Sequence, residues 1–119
     1  MDQSNVVLRY RDGRTERFPL VEIDAEKESV VVKREEARDE VPFSLLKGIF
    51  FPHHTPDEPA EEASGSTIAV EFADGEVIRG VAHYNPERNG FFLFPHDRSK
   101  NDRVFVVNSA IVSIEVEKL

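Results

Sequence analysis

Alternation of apolar and polar residues dominates the chain. Val6, Leu8 and Tyr10 alternate with polar neighbours up to Asp12-Gly13, and Ile68, Val70 and Phe72 do the same up to Asp74-Gly75. A period of two turns every second side chain to one face, as a half-buried strand requires. Asp-Gly at the end of such a run predicts a hairpin, because glycine takes a positive φ without a steric cost and aspartate tolerates the neighbouring turn position. Loops of two or of three residues both fit. Helical spacing nowhere lasts beyond two turns, and "ARDEVPFSLLKG" (37–48) has room for a single helical turn.

The two runs belong to a longer repeat. A shift of 62 residues lays "RYRDGRTERF" (9–18) on "EFADGEVIRG" (71–80), and "DAEKESVVVK" (24–33) on "PERNGFFLFP" (86–95). After an insertion of three residues the shift becomes 65, and "VPFSLLKGIFF" (41–51) falls on "VVNSAIVSIEV" (106–116). Each copy then supplies four or five short strands at the turn spacing of a small barrel. The expected fold is all-β, with two tandem small antiparallel barrels at residues 1–52 and 67–119. Between them, residues 53–66, "HHTPDEPAEEASGS", are rich in proline and acid and read as an extended linker. A unit of roughly 50 residues buries only about 60% of its unfolded surface. The halves are therefore expected to share a core or to dock on one another, as one cooperative body.

Charge changes the picture little for the halves and much for the linker. The 119 residues carry a net charge of −8. Residues 1–52 hold nine basic and eleven acidic groups, residues 67–119 six and eight, and the linker adds Asp57, Glu58, Glu61 and Glu62. Phosphate binding requires clustered lysine and arginine. Arg9, Arg11, Arg14 and Arg17 form one small basic group, read as a charged hairpin edge that resists aggregation. There is no cysteine, hence no disulfide or thiolate chemistry. "MDQSNVV" carries no targeting pattern and no run reaches the length of a membrane span, so a cytoplasmic protein without a membrane partner is expected. His53 and His54 beside Asp57 and Glu58 could ligate metal in principle, but adjacent side chains in an extended segment point apart. His83 and His96 lack a partner at ligand spacing. No catalytic motif and no cofactor motif stands in the chain, and neither an enzyme nor a cofactor is expected.

The second copy resembles the signature segments of Sm-like domains: Gly75, Gly80, Asn89, the run Phe91–Phe94, and then Ile111 and Ile114. The first copy matches in outline, keeping Gly13 but placing Phe18 where the second copy has Gly80. The spacing "VEFADG…G…NP…FFLFP" also resembles a bacterial domain of unknown function found with type IV pilus, secretion and motility proteins. These resemblances imply Sm-like or SH3-like barrels. Sm-like proteins bind RNA through the turn asparagine and an Arg-Gly step, which here reads Val107-Asn108 and Pro42-Phe43. Nucleic acid is accordingly not the expected partner.

Comparing the copies with one another separates core from surface. Apolar in both are Leu8 with Val70, Tyr10 with Phe72, Val30 with Phe92, Val32 with Phe94, Leu46 with Ile111, and Ile49 with Ile114. Apolar in one alone are Phe91 (facing Ser29), Phe50 (Glu115), Phe18 (Gly80) and Phe105 (near Glu40). Rings of that size either join the halves or anchor a protein partner; self-association is a third outlet. The expected function is a non-catalytic adaptor, placed by resemblance in motility, type IV pilus or cell-polarity systems. Regulation of a Ras-like bacterial GTPase, by differential binding to its states, is a second reading, and RNA binding a third.

Overall fold

The computed structural model of the chain describes residues 5–52, 65–85, 87–96 and 101–117. Ten strands occupy them: β1 (Asn5–Tyr10), β2 (Thr15–Asp24), β3 (Ser29–Arg34), β4 (Ala37–Pro42), β5 (Leu46–Pro52), β6 (Ser66–Phe72), β7 (Val77–Ala82), β8 (Gly90–Pro95), β9 (Asn101–Val107) and β10 (Ile111–Glu117). Short 3-10 turns at Phe43–Leu45 and Asn108–Ala110 lead into β5 and β10. No helix among the described residues is long and apolar enough to cross a membrane.

All pairings are antiparallel, and the strands form one sheet in the order β10-β6-β7-β8-β9-β5-β1-β2-β3-β4. The same order, fifth-first-second-third-fourth, runs through each half. Among the described residues β4 and β10 pair on one side only, so the sheet is open, and where two tandem small barrels are expected the strands run on as one continuous sheet. The seam is the pairing of β5 with β9, and the buried apolar side chains of both halves form one contiguous cluster.

Both Asp-Gly hairpins have three-residue loops. The Tyr10 N–H donates to Arg14 O and the Gly13 N–H to Tyr10 O, and Phe72, Glu76 and Gly75 repeat both bonds. Gly13 and Gly75 sit at φ of +98° and +90°, the left-handed region that a β-carbon disfavours. Asp12 and Asp74 each accept the backbone N–H two residues on, which ties the aspartate to the turn. Gly80 serves a different need: a β-carbon there would lie 2.2 Å from the Phe94 carbonyl oxygen, so no phenylalanine like Phe18 fits.

One expected register is corrected. Val30 pairs with Val41, and Phe91 pairs with Val106, so the counterpart of Val30 is Phe91 and not Phe92. Phe91 and Leu93 are buried, Phe92 is exposed and Phe94 half-buried. A bulge between Leu20 and Glu22 shifts the β2–β3 ladder, whereas β7 ends at Ala82 and an irregular stretch leads to β8. Such a shift of one residue moves every side chain of β8 to the opposite face. Ser66, at the end of the expected linker, pairs with Ala82. The rest of the expected linker, residues 53–64 with His53, His54 and the four acids, lies outside the described residues.

Candidate functional site

Strand β5 is buried along almost its whole length, because it serves both halves. Residues directly opposite one another share a face. Ile49 lies between Leu8 and Phe105, while Phe50 lies between Val7 and Val104. Each half thus lends the other a ring. Phe105, 5% exposed, lies 5.6 Å from Phe43 of the first half, and Phe50, also 5% exposed, sits under the Arg9 guanidinium at 4.6 Å.

A polar network flanks this seam. Lys47 is only 6% exposed, and its ammonium donates to Asp74 Oδ2 at 2.7 Å and to Glu76 Oε1, with the Phe72 ring 4.9 Å away. Arg9 Nη1 donates to both Glu76 oxygens at 3.0 and 3.1 Å. Arg11 donates to the carbonyls of Leu46 and Phe43 and, at 2.6 Å, to Ser109 Oγ. Burial pushes the Glu76 carboxyl up, but Lys47 and Arg9 outweigh it and hold it below its ordinary value; Lys47 lowers Asp74 likewise. Of the basic hairpin group, Arg9 and Arg11 are engaged at the seam, and Arg14 pairs with Asp12 while covering the Tyr10 ring. Sequence reasoning missed Lys47, although a cation inside the run "LLKGIFF" signals a buried charge that needs acids beside it.

An aromatic cleft of about 700 Å³ opens between the β2–β3 turn, at Ala25, and the β7–β8 region of the second half. Phe91, Phe92, Phe94 and Phe105 wall it, and His83, Tyr84, Asn85 and Arg88 stand at its polar side. The rings are interlocked. Tyr84 meets Phe91 edge-on at 5.3 Å, Phe92 meets Phe105 edge-on at 5.2 Å, and Arg103 lies over both Phe51 and Phe92. The loop that frames the cleft is fastened by asparagines. Asn89 Nδ2 donates to Ala25 O at 2.6 Å across the halves, and Asn108 Nδ2 donates to the carbonyls of Asn85 and Arg88.

The four expected anchor rings are therefore dispersed. Phe50 and Phe105 lie in the seam, Phe91 is buried with one side on the cleft, and Phe18 is half-buried in the first half under Arg34. Of the four, only Phe91 and Phe105 line the cleft. The ring that the cleft offers to solvent is Phe92, 37% exposed, which the one-residue register difference had hidden in the core.

These features define an all-β protein whose described residues hold an aromatic cleft and no group of three or more acidic or histidine side chains able to hold a metal ion. The chain belongs to a family of unknown function, DUF6982, whose model matches residues 2–118. No curated protein and no solved structure matches it.

Proposed function

We propose that the protein is a non-catalytic protein-interaction module, built on two small units of Sm-like or SH3-like type and docking its partner at the aromatic cleft. The observation that carries this reading is the Phe92 ring, exposed on a wall of interlocked rings with Arg88 and His83 at the polar margin. An exposed aromatic held rigid by its neighbours loses little entropy on binding, which is the property of an interface anchor. Polar groups at the margin orient a partner and discriminate against wrong ones. Asn89 and Asn108, the positions nearest to an Sm-type RNA site, spend their side-chain amides on the protein's own carbonyls. That favours protein over RNA as the partner. A bacterial motility, type IV pilus or polarity system is the proposed setting, on the sequence resemblance alone.

The test is affinity capture from the native cell with wild-type protein and with Phe92→Ala. The proposal expects one protein to be retained by the wild type and its binding weakened by about 2 kcal/mol in the variant, with the unfolding midpoint lowered far less than by truncation of the buried Phe105. A partner that binds Phe92→Ala as tightly as wild type would place the docking face elsewhere. Nucleic acid as the retained species would overturn the protein reading.

A further inference from the structure

The seam joins the fifth strand of the first half, β5, to the fourth strand of the second, β9. What remains at the two ends of the sheet is the complementary pair: β4, a fourth strand, and β10, a fifth strand. A shift of 65 residues carries β5 onto β10 and the paired part of β9 onto β4. The ends of one molecule are thus built like the two sides of its own seam.

Many of the seam's features survive at the ends. Ile49 becomes Ile114, Val106 becomes Val41 and Arg103 becomes Arg38. Ile114 and Val116 stand opposite the buried Val70 and Ile68, yet Ile114 is only half-buried and Val116 is exposed, because no strand among the described residues covers that side. Both plugging rings, however, are replaced by acid. Phe50 becomes Glu115 and Phe105 becomes Glu40, and Val104 becomes Asp39. Pairing β10 of one copy with β4 of the next in the seam's register would set Ile114 against Glu40, and Glu115 against Asp39. Asp39 is held by Arg34 at 3.0 Å, but that arginine stays on the same molecule and brings no countercharge from the incoming one. Like charges directly opposite across a ladder destabilise it, and a carboxylate cannot enter the apolar space that a ring fills.

We infer that β10 and β4 form a matched head-to-tail interface for a second copy of this chain, held open by Asp39, Glu40 and Glu115. The device answers a structural need. An open sheet with complementary ends propagates into rings or filaments unless its edges are blocked, and the chain needs the same strand types to pair once, internally, and then stop.

Restoring the seam residues tests it. By sedimentation velocity on the full chain at about 100 µM and neutral pH, the wild type is expected to remain a monomer. The triple variant Asp39→Val/Glu40→Phe/Glu115→Phe should assemble into rings or filaments, with an apparent dissociation constant at least a hundredfold lower. Glu115→Phe alone and Asp39→Val/Glu40→Phe alone should stay mainly monomeric, while their equimolar mixture should stop at dimers, since each then has one usable end. The variant Asp39→Lys/Glu40→Lys, which adds no apolar surface, should associate in a salt-sensitive way through Glu115. Assembly of the wild type would overturn the inference. So would a folded triple variant that remains monomeric, or half-variants that self-associate as readily as their mixture.

Discussion

Lys47 shows how much one side chain can be asked to do. Its ammonium is buried at the seam, and its acidic partners both come from the β6–β7 hairpin of the other half. Removing one partner of a buried pair leaves an uncompensated charge and costs more than replacing the charge by an apolar group of similar volume. Glu76→Ala is therefore expected to lower stability by about 1–2 kcal/mol, less than a fully buried pair because Glu76 is partly solvated and Asp74 remains. Lys47→Met should stay within about 1 kcal/mol of wild type. The network also predicts the pH response. Asp74 and Glu76 lie below their ordinary values of 3.8 and 4.5, so their contribution is complete above that range. It is lost as the pH falls through the lowered values, because the unfolded chain then binds the protons first. Urea melts of wild type and Glu76→Gln across pH 7 to 3 should converge at the acid end. Parallel curves would remove the network from the account.

At the scale of elements, the exchange of rings between β5 and β9 decides which phenylalanines are structural. Phe50 and Phe105 are buried, and each lies opposite an apolar residue of the other half. Phe105→Ala should cost about 3–5 kcal/mol, the range for truncating a buried ring, in a denaturant melt. Phe92→Ala, which truncates an exposed ring of the same stack, should cost markedly less. Equal losses would mean that Phe92 contributes to the core and not to a surface. The β8 strand carries this distinction: four aromatic or aliphatic residues follow one another, and only the register with β9 tells which two face inward.

For the whole molecule the seam sets the cooperativity. Each half presents one buried strand and one buried ring to the other, and the polar network of Arg9, Arg11 and Lys47 crosses the same boundary. Residues 1–52 and 65–119 expressed separately are expected to lack a cooperative unfolding transition. Mixed, they should recover one through β5 and β9, as followed by circular dichroism and sedimentation. Two halves that each melt sharply alone would show the seam to be a docking contact between self-sufficient domains.

Much of this architecture is local and could be read from the chain. The alternating runs Val6-Leu8-Tyr10 and Ile68-Val70-Phe72, the two Asp-Gly turns and the single turn before Leu46 depend on neighbours in sequence, where side-chain period and backbone sterics act directly. The repeat itself, and the mismatch of Phe50 and Phe105 with Glu115 and Glu40, were legible for the same reason. The site was less so. Which face of β8 is buried depends on a bulge in β2 and an irregular β7–β8 connection, and a one-residue difference there exchanged Phe92 for Phe91. That Lys47 meets Glu76, or that Asn89 meets Ala25, follows from β5 pairing with β9, strands far apart in the sequence. Local pattern determines that a strand forms and which residues it can bury. The choice of its neighbour is made by burial across the assembled sheet, where a ring that no local rule could place finds the one gap that fits it.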